Sequence, residues 1–256
     1  MTTDTAADTA VRRAAGPIAA PIVMAWITVV LVLDADGSIW TQRLLGLSTW
    51  VLLVAVLRQE SVLVRVQTAI VVCFASLIEY TFSPLLEVYV YRFDNVPAYV
   101  PPGHGLVYLA ALALGRSEWV RAHLRLCVSA VIAAGGAWAL WGLIGPERVD
   151  ALGAFWYVCL VGFLLWGPSR PLYVGAFVVV SYLEIVGTAL GTWEWQPYDP
   201  TGIVAIGNPP SGAAGGYGWF DLAALLAAPP LIAWWRRRRG LTSVVDAARP
   251  GSGTSR

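Results

Sequence analysis

Long uncharged stretches interrupted by single arginines set the pattern of this chain. Apolar runs occupy Pro17–Leu33, Leu44–Leu57, Val62–Phe82, Gly105–Leu114, Leu126–Ile144, Ala151–Trp166, Pro171–Leu190 and Trp219–Trp235. A helix needs about 20 residues to cross a bilayer. Several runs are shorter, and Gly105–Leu114 reaches across only with flanking residues such as Val100. The pattern predicts an all-α membrane protein of eight transmembrane helices.

The arginines orient it. With the N-terminus inside, cytoplasmic segments hold Arg12, Arg13, Arg58, Arg65, Arg116, Arg121, Arg125, Arg170 and Arg236 to Arg239. The outer segments hold Arg43, Arg92 and Arg148. Basic residues collect on the cytoplasmic side of membrane proteins, and removing any one helix spoils the asymmetry. Both termini are thus expected in the cytoplasm, and the membrane is read as a bacterial cytoplasmic (inner) membrane. Residues 1–16 form a polar tail, and the first run, with no small-residue cleavage site after it, is a retained helix. Residues 241–256 are small and polar, and disorder is expected there.

Two outer segments, Ser83–His104 and Thr192–Gly216, are rich in Pro, Gly and aromatics but not very polar. Irregular backbone near a membrane is tolerated where protein buries it or a cavity meets it. Both loops are expected to cap the outer mouth of the bundle. They also look alike. Ser76-Leu-Ile-Glu79 matches Ser181-Tyr-Leu-Glu184, and a second acid follows each, Glu87 or Glu194. Then come Pro101-Pro102 or Pro209-Pro210, a tyrosine (Tyr108 or Tyr217) and a Leu-Ala-Ala stretch. The expected organisation is a parallel 4+4 internal repeat, residues 17–115 and 116–240, with a site at the repeat interface.

Composition narrows the chemistry. The chain is 57% hydrophobic and 13% charged, with net charge +1, against about a quarter charged in soluble domains. Nothing advertises nucleic acid. All 17 basic residues are Arg, which excludes lysine Schiff bases and a Walker A loop. Two histidines are too few for membrane di-iron or haem-bridging proteins. Cys73, Cys127 and Cys159 lie in apolar runs without a C-x-x-C pair and read as small buried hydrophobes. No cofactor and no metal is assigned.

Three acids stand at one depth. Glu79 and Glu184 each follow an inner arginine by 14 residues, Arg65 and Arg170, and Asp221 precedes Arg236 by 15. That is about 21–23 Å at 1.5 Å per residue. His104 comes close to the same level. Intramembrane carboxyls face a polar interior, so a shared cavity under the loops is expected, or else structural acids bonded between helices.

A carboxyl group in an apolar pocket holds its proton more tightly and can donate it. Aromatic faces attract cations. Glu184, Glu79 and Asp221 are therefore the catalytic candidates. His104, Trp193, Trp195, Tyr80, Tyr217, Trp219 and Asn208 are the substrate-binding candidates. Two other chemistries fit the residue types: a Ser211–His104 hydrolase pair, and a metal held by Glu79, His104, Glu184 and Asp221. Gly187-x3-Gly191 reads as a helix-packing motif, and Pro229-Pro230 should distort the last helix. Asp34-Ala-Asp36-Gly37 reads as a polar turn, and Arg236–Arg239 as a topology anchor.

Glu184-Ile-Val-Gly187-x3-Gly191-x-Trp193-x-Trp195, followed by a Pro-bearing apolar loop and Gly218-Trp219, resembles the membrane-bound carotenoid hydratase family over about 40 residues. That family has Tyr where this chain has Trp195, and the doubled Pro-Pro loop departs from its pattern. The resemblance implies that Glu184 protonates a terminal double bond of an isoprenoid chain. Water then captures the cation, oriented by Glu79 or Asp221. The expected partners are membrane lipids or an apolar isoprenoid substrate. The alternatives are a proton-coupled transporter and a lipid-binding or structural subunit of a membrane complex.

Overall fold

The computed structural model describes residues 19–239; the tails at 1–16 and 241–256 lie outside the described residues. Nine helices are present among these. They are α1 (Ala19–Ala35), α2 (Ile39–Leu57), α3 (Val62–Tyr80), α4 (Val100–Arg116), α5 (Glu118–Ala122), α6 (Leu124–Ile144), α7 (Ala151–Trp166), α8 (Arg170–Ala189) and α9 (Ala213–Arg238). Within the described residues every expected apolar run falls in a helix, and the five-residue α5 is an addition. By length and composition five helical stretches can cross a membrane: α2, α3 with its π-helical extension Thr81–Leu85, α6, α8 and α9. The apolar α1 and α7 are shorter.

Local signals explain the boundaries. Ser38, Ser61 and Ser117 each cap a helix by accepting a bond from its first-turn backbone, and Ser38 forms a capping box with Thr41. Pro101 and Pro102 sit in the first turn of α4, where a missing N–H does no harm. The expected loop therefore ends at Tyr99, and His104 is helical. Helix α9 continues through Pro229-Pro230 to Arg238, where the sequence predicts a distortion. At its end, Arg238 and Arg239 lie over Trp234 and Trp235, 4.5 and 4.1 Å from the ring centroids.

The shortest apolar run makes the most buried helix. Twelve of the 17 residues of α4 are buried, because its small residues admit other backbones. A Cβ on Gly115 would stand 2.4 Å from the Pro171 carbonyl oxygen, and one on Gly175 2.1 Å from that of Ala111. Helices α4 and α8 thus touch main chain to main chain, as small residues allow in membrane bundles. Around this pair pack α3 and α9, with α1, α2, α6 and α7 outside. The outer helices expose large apolar side chains, among them Leu44, Leu47 and Val51 on α2 and Leu126, Leu140 and Trp141 on α6. Apolar surface on this scale suits contact with lipid. Cys73 belongs to it: it is exposed, and only Cys127 is buried.

The architecture is not purely helical. Strands β1 (Tyr89–Tyr91) and β2 (Trp193–Trp195) form an antiparallel two-stranded ribbon joining the two long loops, with Val90 opposite Glu194.

Candidate functional site

The ribbon covers one end of the bundle, and alternation along each strand decides what faces inward. Tyr89, Tyr91, Trp193 and Trp195 are buried, whereas Glu194 is exposed. Tyr89 lies against Trp195 and Tyr91 against Trp193, with ring centroids 4.5 and 6.1 Å apart. Beneath these four rings lies a largely apolar cavity of about 430 Å³, within the size range of small-molecule sites.

Two carboxyls reach it. Glu79, in the last turn of α3, accepts bonds on Oε2 from the Tyr89 and Tyr91 hydroxyls, both 2.9 Å. Its Oε1 lies 2.8 Å from His104 Nε2. A carboxylate only accepts, so Nε2 carries the hydrogen and Nδ1 is left as an acceptor. Nδ1 is buried and has no partner among the described residues. The phenols of Tyr89 and Tyr91 are held well above their ordinary pKa, first by burial and then by the charge of Glu79.

Glu184, on α8, is 3% exposed. Both of its donors meet one oxygen: the indole N–H groups of Trp193 and Trp195 lie 3.2 and 3.1 Å from Oε2. Oε1 has no hydrogen-bond partner among the described residues. The same plan therefore recurs with different chemistry. Each acid is held by two alternate aromatics of the strand that follows it, phenols for Glu79 and indoles for Glu184.

His104 stacks on Tyr217, with centroids 5.1 Å apart at 27°. Counted back from the shared Leu109-Ala-Ala-Leu112 and Leu222-Ala-Ala-Leu225, the two occupy the same position, each followed by Gly. The sequence reading set Tyr217 beside Tyr108; measured from this stretch it is His104 that shares the position of Tyr217.

Of the candidates read from sequence, Glu79, Glu184, His104, Trp193, Trp195, Tyr217 and Trp219 all line the cavity. Three do not. Tyr80 is 57% exposed, because it follows the inward-facing Glu79 by one residue and so takes another face of α3. Asn208 accepts from the Trp195 amide at 3.1 Å and thereby fixes β2. Asp221 is buried but stands apart. No three His, Cys, Asp or Glu side chains converge as metal ligands among the described residues. The Ser211 hydroxyl is bonded not to His104 but to Asp150 Oδ2, at 2.7 Å.

Asp150 is a fastening point that the sequence reading missed. It is 3% exposed and also accepts from the amides of Gly153, Gly207 and Ser211. It caps α7 and pins the second loop to it. Arg148 donates to the carbonyls of Trp195, Gln196 and Ile206 in the same loop. Asp34, read as part of a polar turn, is instead wholly buried. It accepts from Tyr99 at 2.8 Å and from Gln42 at 3.2 Å, so it ties α1 to α2 and the first loop.

The Gly187-x3-Gly191 motif also serves a different purpose. The space beside Gly187 is filled by the Trp193 ring, which a Cβ would approach to 1.8 Å. Gly191 has open space around it and a φ of +66°, the left-handed turn that ends α8. The glycines let the chain fold back and lay Trp193 on its own helix, under Glu184.

No protein-family model, curated protein or solved structure matches this chain.

Proposed function

We propose that this chain is a membrane enzyme that uses paired carboxyls to move protons at a carbon–carbon double bond of an apolar isoprenoid, in the manner of the carotenoid hydratases it resembles. The observation that carries this reading is the unequal setting of two acids on one largely apolar, aromatic cavity. Glu79 has both oxygens engaged by three donors, whereas Glu184 keeps Oε1 free. Sites that pair an acid with a base set two titratable groups in unlike surroundings.

In this reading the Glu184 carboxyl gives its proton to an alkene carbon. The resulting cation lies among the faces of Trp and Tyr rings. Water adds to the cation and passes its extra proton to His104 Nδ1, and Glu79 holds the imidazolium so formed. Return of that proton to Glu184 closes the cycle, so alkene and water give an alcohol with no other reactant. Asp221 has no part in this sequence.

The membrane setting belongs to the same proposal. All eight long helices span a cytoplasmic membrane, with the arginine-rich end inside and the ribbon outside. The chain is a 4+4 duplication, which accounts for the matched acid-and-aromatic plan, for the stacking of His104 on Tyr217, and for the exchange symmetry by which α4 packs on α8 while α9 packs on α3.

The test compares lipid and pigment extracts by mass spectrometry from cells accumulating acyclic carotenoids and making wild type, Glu184→Gln or Glu79→Gln. A product heavier by one water, present only with wild type, is expected. Equal amounts of all three proteins with no new species would overturn hydration of those substrates. A second reading, proton-coupled carriage of an apolar molecule, draws on the acid that the cavity does not use.

A further inference from the structure

The cavity is lined in matched pairs, and one arm of it has no match. Counted back from Leu109-Ala-Ala-Leu112 and Leu222-Ala-Ala-Leu225, Gly103, Leu106 and Val107 of α4 hold the same positions as Gly216, Trp219 and Phe220 of α9. All six line the cavity, as do the pairs His104 with Tyr217 and Glu79 with Glu184. The ribbon pairs in the same sense, Tyr89 opposite Trp195 and Tyr91 opposite Trp193.

The outer helices break the match. Trp26, Ile27, Val30 and Leu31 of α1 and Thr49 of α2 all line the cavity, whereas among the described residues α6 and α7 contribute Trp156 alone. The two glycines show the difference directly. A Cβ on Gly216 would stand 3.3 Å from the Trp156 ring, a tight contact. A Cβ on Gly103 would meet nothing within 4 Å among the described residues. Trp156 thus fills the space beside Gly216, and the space beside Gly103 is open. From the acids, the cavity therefore extends past Gly103 toward α1 and α2.

This arm is apolar. Its two polar side chains bond to each other: the Trp26 indole N–H donates to Thr49 Oγ1 at 3.1 Å, and that hydroxyl donates to the Leu45 carbonyl at 2.7 Å. Ile27, Val30 and Leu31 supply the rest. A polar guest would lose its hydrogen bonds to water here and gain none, so the arm suits hydrocarbon. We propose that it is the subsite for the tail of the substrate chain. The reacting end lies between Glu184 and His104, the tail runs past Gly103 and along Trp26, and Trp156 closes the matching path in the second half. A lining otherwise built in pairs then accepts a chain in one direction only. The proposal rests on the isoprenoid reading above for the identity of that chain.

A photolabel tests it. The probe is an acyclic isoprenoid hydrocarbon that keeps its terminal double bond at one end and carries a diazirine at the other. The full-length protein in nanodiscs is irradiated with this probe, and labelled peptides are mapped by mass spectrometry. Label should fall on α1 and α2 at Trp26 and Thr49, and the same hydrocarbon without the diazirine should remove it. Gly103→Leu should cut that label about tenfold. The new side chain enters open space and suits a helix better than Gly, so the fold should be retained. Trp156→Ala should bring new label to α7. Label that the plain hydrocarbon does not remove, spread over exposed residues such as Leu47 and Leu140, would overturn the proposal. Removable label at Trp156 in the wild type would also overturn it, as would a folded Gly103→Leu protein labelled like wild type. The wild-type map decides the matter even where a variant fails to fold. Removable label in the arm without any hydrated product upholds the arm and sinks the hydration chemistry alone. Hydrated product with label elsewhere does the reverse.

Discussion

Replacing Gly187 by Ala is the most direct probe of how the site is held. The added Cβ would stand 1.8 Å from Trp193 Cη2, whereas real Cβ atoms essentially never come under 3.0 Å. The ring must therefore retreat by at least the difference, 1.2 Å. Its indole bond to Glu184 is 3.2 Å long, already at the limit for N–H···O, and a shift of that size breaks it. Losing a bond to a buried carboxyl costs about 1.5–3 kcal/mol, and overpacking adds about 1–3 kcal/mol. The two overlap, so we expect a loss of about 3–5 kcal/mol, read by denaturant unfolding in detergent micelles and followed by tryptophan fluorescence. A double-mutant cycle identifies the cause: with Trp193→Ala in place, Gly187→Ala should lose most of its effect. Gly191→Ala serves as the contrast, costing only the left-handed backbone, about 1–2 kcal/mol. A Gly187→Ala protein within 1 kcal/mol of wild type, or an undiminished effect without Trp193, would refute the reasoning and restore the helix-packing reading of the motif.

Asp150→Asn should destabilise by about 2–4 kcal/mol, because an amide nitrogen would face the Ser211 amide that Oδ2 now accepts; chemical unfolding measures it. Gly175→Ala should prevent close approach of α4 and α8, its Cβ meeting a carbonyl oxygen at 2.1 Å, and should abolish folded, monodisperse protein in size-exclusion chromatography. Tyr89, Tyr91 and Tyr99 are all held well above the ordinary phenol value of 10.0, chiefly by burial. Their stabilisation is thus complete below pH 10 and is lost as pH rises through the folded values. A near-ultraviolet titration about one unit above 10 should leave at least these three phenols un-ionised until denaturant is added. Ionisation of all ten tyrosines in the folded protein would contradict this.

The helices were legible because uncharged runs between arginines leave a chain in lipid few other structures. What the sequence hid was which helix is central. Its shortness makes Gly105–Leu114 look marginal, yet Ala111 and the following Gly115 are what admit α8. The acids, His104 and the paired tryptophans were visible as ionisable and aromatic groups at one depth. Tyr89 and Tyr91 were missed, although Tyr-x-Tyr stands after Glu79 much as Trp-x-Trp stands after Glu184; the signal was a two-residue period inside what read as a loop. Asp221 shared their depth but not their direction, since depth along a helix says nothing of azimuth. Asp34 and Asp150 were unreadable as buried acids. Their donors come from residues far away in sequence, Tyr99 for the first and Gly207 and Ser211 for the second.

The ribbon imposes an order on assembly. Strand β1 pairs with a segment 104 positions later, Val90 with Glu194. While the chain is synthesised from its N-terminus, Glu79 can gather its own tyrosines and His104 early. Glu184 finds its tryptophans, and the two acids find each other, only after the second loop exists. The site therefore stays incomplete until the second half is made, and a chain stopped before α8 leaves α4 and β1 without their partners. The short α5 between the two halves is then the natural place to divide the protein. Two separately made pieces, cut there, each carry one acid and one strand, and meeting through the ribbon would rebuild the cavity.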